Sequence, residues 1–187
     1  MARIPTLTLD TMNPEQQRIY QGVMQRRGPV QGPLLAAMQR PVLGETMGHF
    51  GDAVRAQPSI PKRLTAIAVM QTTRFMNCEY MWAIHKPLSE KEGLRADIIE
   101  SIRLGQTPKD LDADQLRIWR FCTELLEKKK LSDATHAAVM KTWGAAATVD
   151  LSAMIGYYVL CALIIGANDL DLPPGTTPQL PQLPQLP

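Results

Sequence analysis

The sequence lacks most features that mark specialised classes of protein. It has three cysteines, Cys78, Cys122 and Cys161, and none of them forms a Cys-x-x-Cys pair. This excludes a disulfide scaffold and is typical of a reducing, cytoplasmic location. The net charge is only +2, which is too small for a protein that binds nucleic acid by neutralising phosphates. Hydrophobic residues make up 45% of the chain and charged residues 20%, which indicates an ordinary folded protein.

Long hydrophobic runs are also scarce. The first ten residues contain none, so no signal peptide is predicted. The apolar stretch 151–167 has 17 residues, the short limit for a membrane span, and Tyr157 and Tyr158 lie at its middle rather than at its ends. We interpret this stretch as a buried or interface helix, and we expect neither a membrane nor a nucleic acid as a partner.

Helix start and stop signals are abundant, whereas the alternation typical of strands is nearly absent. Asn13, Asn77, Asp112 or Asp114, and Ser132 are predicted N-caps. Pro87 predicts a kink or a break before residue 86. The predicted helices cover 14–27, 34–40, 43–54, a segment opening at 59–62, 78–92, 97–104, a long helix to 130, 133–143 and 149–168. The fold class is therefore all-α, with seven to nine helices in a single domain over 1–172.

The C-terminal segment 173–187 differs from the rest of the chain. It contains six prolines and ends in three copies of Gln-Leu-Pro, at 179–181, 182–184 and 185–187. Proline fixes φ and removes N–H donors, so this segment is predicted to be extended and similar to polyproline. It is either an arm without a catalytic role or an arm that packs along a neighbouring subunit through its spaced leucines.

One segment, 74–85, combines residues of reactive types. If Asn77 is the N-cap, Cys78 lies in the first helical turn, where the partial positive charge lowers the pKa of a thiol. His85 follows seven residues later, about 20° away around the helix axis, so it shares a face with Cys78 and Trp82. These residues predict a small reactive pocket. The alternative is structural: a buried, inert cysteine and a hydrogen-bonded core histidine.

The same segment resembles the carboxymuconolactone decarboxylase-like family, which includes the alkylhydroperoxidase D-like (AhpD-like) proteins. The resemblance covers about residues 13–175. The matching residues are Arg63-Leu64, Ile67-Ala68-Val69, Asn77-Cys78-Glu79-Tyr80, Trp82, His85, Pro87-Leu88, Gly93-Leu94, Ser132-Asp133-Ala134-Thr135, Ile155-Gly156-Tyr157-Tyr158 and Leu172-Pro173-Pro174-Gly175. The resemblance implies an all-helical fold and a homo-oligomer, either a trimer or a hexamer.

The sequence departs from the peroxidase branch of this family at two positions. That branch has a second cysteine where this chain has Met81, and a proton-relay glutamate where this chain has Ala66. Methionine is unable to form a disulfide with a sulfenate on Cys78. The polar groups that remain in the motif are Cys78, Glu79, Tyr80 and His85.

The first functional hypothesis is a lyase or isomerase that needs no cofactor and no metal. His85, with a pKa expected near working pH, would be the acid or base that decarboxylates or isomerises a small lactone or carboxylic acid. Arg74 would hold a carboxylate. Glu79, Tyr80, Trp82 and His49 complete the predicted substrate-binding set. For His49 two interpretations are open: a packed or exposed imidazole, or a second acid–base group that faces His85.

Two further hypotheses remain open. In one, Cys78 attacks a peroxide and an external thiol resolves the product, as in a peroxiredoxin-type peroxidase. In the other, the chain is a catalytically inactive relative that serves as an oligomeric scaffold. His136, the third histidine, is predicted to lie on the surface.

Overall fold

The computed structural model describes residues 2–56 and 59–181. Within these ranges the regular elements are eight α-helices and there is no strand, so the predicted all-α class is confirmed. The helices are α1 Pro14–Arg27, α2 Gly32–Ala37, α3 Pro41–Arg55, α4 Lys62–Phe75, α5 Glu79–Lys91, α6 Ala96–Arg103, α7 Ala113–Lys128 and α8 Asp133–Asn168.

Side-chain caps fix the starts of three helices at positions that the sequence predicts. Asn13 accepts a hydrogen bond from the backbone N–H of Gln16, whose side chain accepts one from the backbone N–H of Asn13. Asp112 and Gln115 form the same reciprocal pair at the start of α7. Ser132 accepts from the third residue of α8. Each cap satisfies N–H groups that otherwise have no partner, and each stabilises the fold by about 1 kcal/mol.

Helix α4 is the centre of the molecule. Every residue from 64 to 74 is buried, and the helix packs against α5, α6, α7 and α8. Leu64, Ile67 and Met70 are fully buried in one cluster with Ile118 and Phe121 of α7. Full burial of such a side chain contributes about 1.5–3 kcal/mol. Because its neighbours are arranged around it, α4 determines where α5 and α8 lie, and these two helices carry the candidate site.

A tight corner connects α4 to α5. Asn77 has a left-handed backbone (φ 47°), its N–H donates to the carbonyl of Arg74 at 2.9 Å, and the N–H of Cys78 donates to the carbonyl of Thr73 at 3.1 Å. This pair of bonds is the Schellman motif, in which a left-handed residue closes the preceding helix. The prediction that Asn77 caps α5 is therefore wrong by one residue, since Cys78 is the N-cap and Asn77 terminates α4.

Of two predicted interruptions, the structure contains one. Helix α5 continues through Pro87, so the predicted break before residue 86 does not occur. Pro87 lies on the exposed side of the helix. The two predicted helices 133–143 and 149–168 correspond to the two parts of α8, which a kink at Gly144 (φ 81°, ψ −179°) separates, so this predicted interruption is confirmed. A glycine adopts this conformation without a steric penalty, so it places the kink.

Helix α8 is long and apolar enough to cross a membrane by length and composition. Its buried residues, among them Leu151, Ile155 and Tyr158, belong to the main core, and the helix packs against α2, α3, α4 and α7. A helix that packs on four neighbours has the environment of a core helix. This agrees with the interpretation of the apolar stretch as a buried or interface helix.

The start of the proline-rich segment turns back onto the body of the protein. The backbone N–H of Thr176 donates to the carbonyl of Pro173 at 3.1 Å, and Gly175 has a left-handed φ of 77°, as a reverse turn of this kind requires. After the turn, Leu180 packs against the hydrophobic core of its own chain. The last two Gln-Leu-Pro copies, 182–187, lie outside the described residues.

Candidate functional site

Helices α3, α5 and α8, together with the α1–α2 connection, enclose a cavity of about 320 Å³, which we name the His85 cavity. Its polar lining residues are Arg27, Gln31, Arg55, Tyr80, His85, Tyr157, Tyr158 and Cys161. Its apolar lining residues include Val30, Leu34, Met81, Ile84 and Leu88. A cavity of this size with mostly apolar walls and a few converging polar groups is typical of a small-molecule site.

Positive charge dominates one side of this cavity. The carboxylate of Asp52 lies 2.9 Å from Arg26, 3.3 Å from Arg27 and 3.8 Å from Arg55. Three guanidinium groups therefore share one carboxylate, and an excess of positive charge remains where Arg27 and Arg55 line the cavity. The Arg55 guanidinium also lies over the ring of Tyr157, with 5.5 Å between the guanidinium carbon and the ring centroid. This arrangement favours an anion inside the cavity.

His85 lies on the cavity-facing side of α5 and contacts Tyr158 edge to face, with 4.9 Å between the ring centroids. Burial, and secondarily the charge of Arg55, lower the pKa of His85 from 6.5 to about 4. The imidazole is therefore neutral at pH 7 in the unliganded protein. This corrects the expectation that His85 titrates near working pH: burial beside a guanidinium disfavours the imidazolium.

Two adjacent tyrosines of α8 form the floor of the cavity. The ring of Tyr157 packs edge to face on Tyr158 at 5.5 Å and on Phe50 at 5.6 Å. A Cβ at position 51 would overlap the Tyr157 hydroxyl, so glycine at this position in α3 permits the close approach. Burial raises the pKa of both tyrosines, so their hydroxyls are neutral donors. Gly51 thus accommodates the Tyr157 ring of the protein itself.

The structure does not place Cys78 in the wall of this cavity. Cys78 is buried (7% exposed) and precedes α5 with an extended backbone (φ −95°, ψ 94°), so it does not follow the helical spacing that related it to His85. Burial raises the pKa of its thiol, although the backbone N–H groups of Met81 and Tyr80 act in the opposite direction. The predicted lowering of the Cys78 pKa is wrong because desolvation outweighs the helix terminus.

The cavity-facing stripe of α5 consists of Tyr80, Met81, Ile84, His85 and Leu88. These residues recur at intervals of three and four, as one face of a helix does. Trp82 follows Met81 directly, so it lies about 100° further around the helix axis than Met81. Its side chain is completely buried in the core, and the prediction that it lines the cavity is therefore wrong.

Tyr80 reaches the cavity because Gly32 leaves room for its ring. A Cβ at position 32 would lie 2.6 Å from that ring. The predicted contact of Tyr80 with substrate stays a prediction.

Arg74 and Glu79, both predicted to bind substrate, are engaged by the C-terminal segment. Glu79 accepts the backbone N–H groups of Gln179 at 2.9 Å and Leu180 at 2.7 Å. Arg74 donates to the carbonyl of Pro181 at 3.1 Å. Neither residue lines the His85 cavity, whose guanidinium groups come from Arg27 and Arg55.

His49 does not face His85. It lies on the exposed side of α3 and acts electrostatically on Glu45, whereas the buried stripe of that helix contains Met47, Gly48 and Gly51. Of the two interpretations of His49, the exposed imidazole is therefore correct. Its predicted place among the substrate-binding residues is wrong, and α3 contributes Arg55 instead. His136 is exposed, as predicted.

A smaller cavity of about 170 Å³ shares Arg55, His85, Leu88 and Tyr158 with the His85 cavity. Ala66 lines it, so the position at which the resemblance implies a relay acid does lie beside His85, and no acid occupies it. A carboxylate in the same wall, Glu92, lies 4.0 Å from Lys62. The relay acid is thus absent at 66, and His85 lines both cavities.

The groups that sequence reasoning missed are Arg55, Tyr157 and Tyr158. A sequence signal was available for the tyrosines, because two adjacent hydroxyls in the middle of a buried apolar helix require polar partners. No local pattern identified Arg55, whose position opposite α8 depends on the packing of α3.

The lowered pKa of His85 has a consequence for stability. Between pH 4 and 6.5 the unfolded chain binds a proton at residue 85 that the folded chain does not bind. The free energy of unfolding therefore falls as the pH decreases through this window, by up to about 3 kcal/mol. We expect His85→Gln to remove this contribution in urea denaturation at several pH values.

The matched control for this measurement is His136→Gln, because His136 is exposed. This variant should retain the pH dependence of the wild type. An identical pH dependence in the wild type and His85→Gln would contradict the neutral state of His85, whose side chain is half-buried.

The arrangement of the eight helices is similar to that of solved structures with the AhpD-like fold. The chain therefore has an all-α AhpD-like fold, and the predicted resemblance is confirmed at the level of the fold. No family model matches the chain, and no curated protein matches its sequence. At identities of 13–14% to its structural neighbours, the likeness establishes the fold alone.

One structural neighbour is an alkylhydroperoxidase AhpD core, an uncharacterized peroxidase-related protein from Ralstonia eutropha JMP134. It has a TM-score of 0.73 and 14% identity, covering 92% of this chain and 93% of its own. Another is the debrominase Bmp8 in its apo form, with a TM-score of 0.69 and 14% identity, covering 90% of this chain and 91% of its own. A cysteine-to-alanine variant of Bmp8 in complex with 2,3,4-tribromopyrrole gives 0.69 at 13% identity, covering 90% of both chains.

Proposed function

We propose that this chain is an enzyme that performs acid–base chemistry, without a cofactor, on a small and largely apolar anion. The reaction class is decarboxylation or isomerisation of a lactone or carboxylic acid. The observation that carries the proposal is the convergence of His85, Arg55 and Tyr158 on one mostly apolar cavity of about 320 Å³. The AhpD-like neighbours described as a debrominase and a peroxidase-related protein support an enzymatic role for this fold.

Charge complementarity supports an anionic substrate. In the free protein the neutral imidazole of His85 faces Arg55, whose charge disfavours a second cation. A bound anion offsets that charge and so raises the pKa of His85, while burial, the larger cause of the lowering, continues to act. His85 therefore becomes able to carry a proton when an anion is bound, which couples acid–base competence to substrate binding.

The proposed decarboxylation keeps atoms and electrons in balance. The bond between the substrate carbon and its carboxylate breaks, CO₂ leaves, and the electron pair moves into a dienolate. Arg55 and the Tyr158 hydroxyl stabilise the oxygen on which negative charge develops. His85 then gives the proton that it holds in the complex to carbon, and it regains a proton from solvent. In isomerisation, the same imidazole removes a proton from one carbon and returns it to another.

A second candidate is thiol peroxidase activity through Cys78. It is supported by the backbone N–H groups of Tyr80 and Met81, which act to lower the pKa of this thiol, and by the peroxidase-related neighbour. The Cys78 thiolate would attack an oxygen of a hydroperoxide, and the O–O bond would break. The alkoxide would leave and take up the proton that the thiol had lost, and an external thiol would reduce the sulfenic acid formed on Cys78. Burial of Cys78 opposes this chemistry because the thiol remains protonated at neutral pH.

The experiment that tests the proposal is a paired screen of the wild type. CO₂ release is measured with unsaturated lactone acids, including carboxymuconolactone, and peroxide consumption is measured with a dithiol as the reductant. We expect turnover of a lactone acid and little consumption of peroxide. Rapid peroxide turnover that Cys78→Ser abolishes would reverse the ranking. Turnover in neither assay would favour the inactive scaffold.

We also propose that the chain forms a homo-oligomer, either a trimer or a hexamer. Helices α3 and α8 contact each other and carry exposed apolar side chains, namely Val42, Leu43, Phe50, Val149, Leu160 and Leu163. Phe50 is 41% exposed and packs on Tyr157, so burial of this surface would stabilise the floor of the His85 cavity. Sedimentation of a monomer at micromolar concentration would contradict this proposal.

A further inference from the structure

The C-terminal segment lies across the start of α5, far along the chain from the residues that it contacts. After the turn at 173–176, residues 177–181 have no regular secondary structure. Their backbone is held by three side chains, Glu79, Arg74 and Arg103, which we name the tail clamp. Two of these belong to the α4–α5 corner and the third ends α6, so the clamp is built from well-packed helices.

Each clamp residue binds the backbone of the segment. The two carboxylate oxygens of Glu79 accept from the N–H groups of Gln179 and Leu180, at 2.9 and 2.7 Å. Arg103 donates to the carbonyl of Gln179 at 2.9 Å, and Arg74 donates to the carbonyl of Pro181 at 3.1 Å. All four bonds involve an ionised side chain, the class of hydrogen bond that is stronger than a neutral pair.

The clamp residues are themselves positioned. Besides its bond to Pro181, the Arg74 guanidinium donates a hydrogen bond to the side-chain oxygen of Asn77 at 2.6 Å. Asn77 has a left-handed backbone conformation. Arg103 is held by a paired contact with Glu100, at 2.7 and 2.8 Å. The guanidinium groups are therefore oriented by neighbours on their own helix or corner and do not depend on the segment for their orientation.

The sequence of the bound segment provides backbone N–H groups only where the clamp provides acceptors for them. Gln179 and Leu180 present two successive N–H groups to one carboxylate, Leu180 packs its side chain against the core, and Pro181 has no N–H that would be left unsatisfied. Pro178 precedes them, which restricts the chain to an extended form before binding and reduces the entropy lost on docking. The bound unit is thus Pro-Gln-Leu-Pro.

The same four residues occur three times with shared prolines, at 178–181, 181–184 and 184–187. We propose that the tail clamp is a binding site for an extended Pro-Gln-Leu-Pro peptide, that residues 178–181 of the same chain occupy it, and that a free peptide of this sequence competes for it. The site is separate from the His85 cavity, and the proposal does not depend on the proposed function.

Hydrogen exchange of two backbone amides tests the occupancy of the clamp in the full chain. In the wild type, the N–H groups of Gln179 and Leu180 should exchange about tenfold or more slowly than in an unstructured peptide. Glu79→Gln replaces one of the two acceptor oxygens with a donor, so at least one of the two amides should lose its protection. Arg103→Gln should reduce protection without removing the acceptor. The matched control is Glu90→Gln, which alters a carboxylate of the same helix that is paired with Lys86.

A competing peptide tests recognition. The attached segment has an effective concentration at the clamp of the order of millimolar, so a competing peptide has to exceed this concentration. The peptide Pro-Gln-Leu-Pro-Gln-Leu-Pro, acetylated and amidated at its ends, is therefore added to the wild type at about 10 mM. We expect exchange at Gln179 and Leu180 to accelerate by about tenfold. A control peptide with proline in place of each glutamine lacks one of the two N–H donors and should have no effect.

Several results would overturn the proposal. These are rapid exchange of both amides in the wild type, equal protection in the wild type and Glu79→Gln, and equal effects of the two peptides. Protection that is lost on about hundredfold dilution would assign the bound segment to a second copy of the chain, because binding within one chain is independent of concentration.

Discussion

Replacing His85 with alanine should lower turnover of the true substrate by about 10²–10⁴-fold, the usual contribution of a positioned acid–base group. The loss should appear in kcat, because the proton is transferred in the reaction step, whereas binding of the anion relies on Arg55. His85→Gln should be almost as inactive, since an amide fills similar space but is unable to exchange a proton at neutral pH. Steady-state kinetics of the two variants measures the effect.

Cys78→Ser is the matched comparison for this result. Cys78 is buried outside the wall of the His85 cavity, so its substitution by serine should cost lyase or isomerase turnover far less than the loss of the imidazole. Under the peroxidase hypothesis the order reverses, because a serine hydroxyl is unable to form the sulfenic acid. A variant pair in which Cys78→Ser is inactive and His85→Ala retains most activity would reject the acid–base proposal.

Local sequence signals predicted much of the fold. The caps Asn13, Asp112 and Ser132 are correct because a capping side chain bonds to backbone within three residues, so the interaction is contained in a short stretch of sequence. Asn77 was misassigned because asparagine favours both an N-cap and a left-handed helix end. Only the bonds to Thr73 and Arg74 distinguish these two roles, and they depend on how α4 ends.

The candidate site was less accessible to sequence reasoning. His85 and Tyr80 line the cavity as the motif suggested, since both lie on one helix and their relation follows from its period. Arg74 and Glu79 are instead held by residues about 100 positions later, and Arg55 reaches His85 from another helix. Such contacts depend on the packing of whole helices, and the same motif residues are compatible with several arrangements.

Replacing Arg55 with methionine should weaken use of an anionic substrate by about 10- to 150-fold in kcat/KM, because a hydrogen bond to a charged group contributes about 1.5–3 kcal/mol. Methionine retains an apolar stem against Tyr157. Asp52 keeps Arg26 and Arg27 as partners, so no carboxylate is left unpaired. The variant should therefore fold.

The same variant should raise the pKa of His85, since the charge of Arg55 is one of the two causes that lower it. Titration of the imidazole by NMR gives this shift independently of any substrate. The matched control is Arg63→Met, which removes an exposed arginine paired with Asp112 and should change neither the kinetics nor the titration. An uncharged ester of the substrate, which is unable to lose CO₂, separates charge from shape as a competitive inhibitor, because its inhibition constant should be nearly the same in wild type and Arg55→Met. An equal weakening for the acid and the ester, with an unchanged pKa at His85, would show that Arg55 supports the cavity only by packing and would remove the electrostatic basis for an anionic substrate.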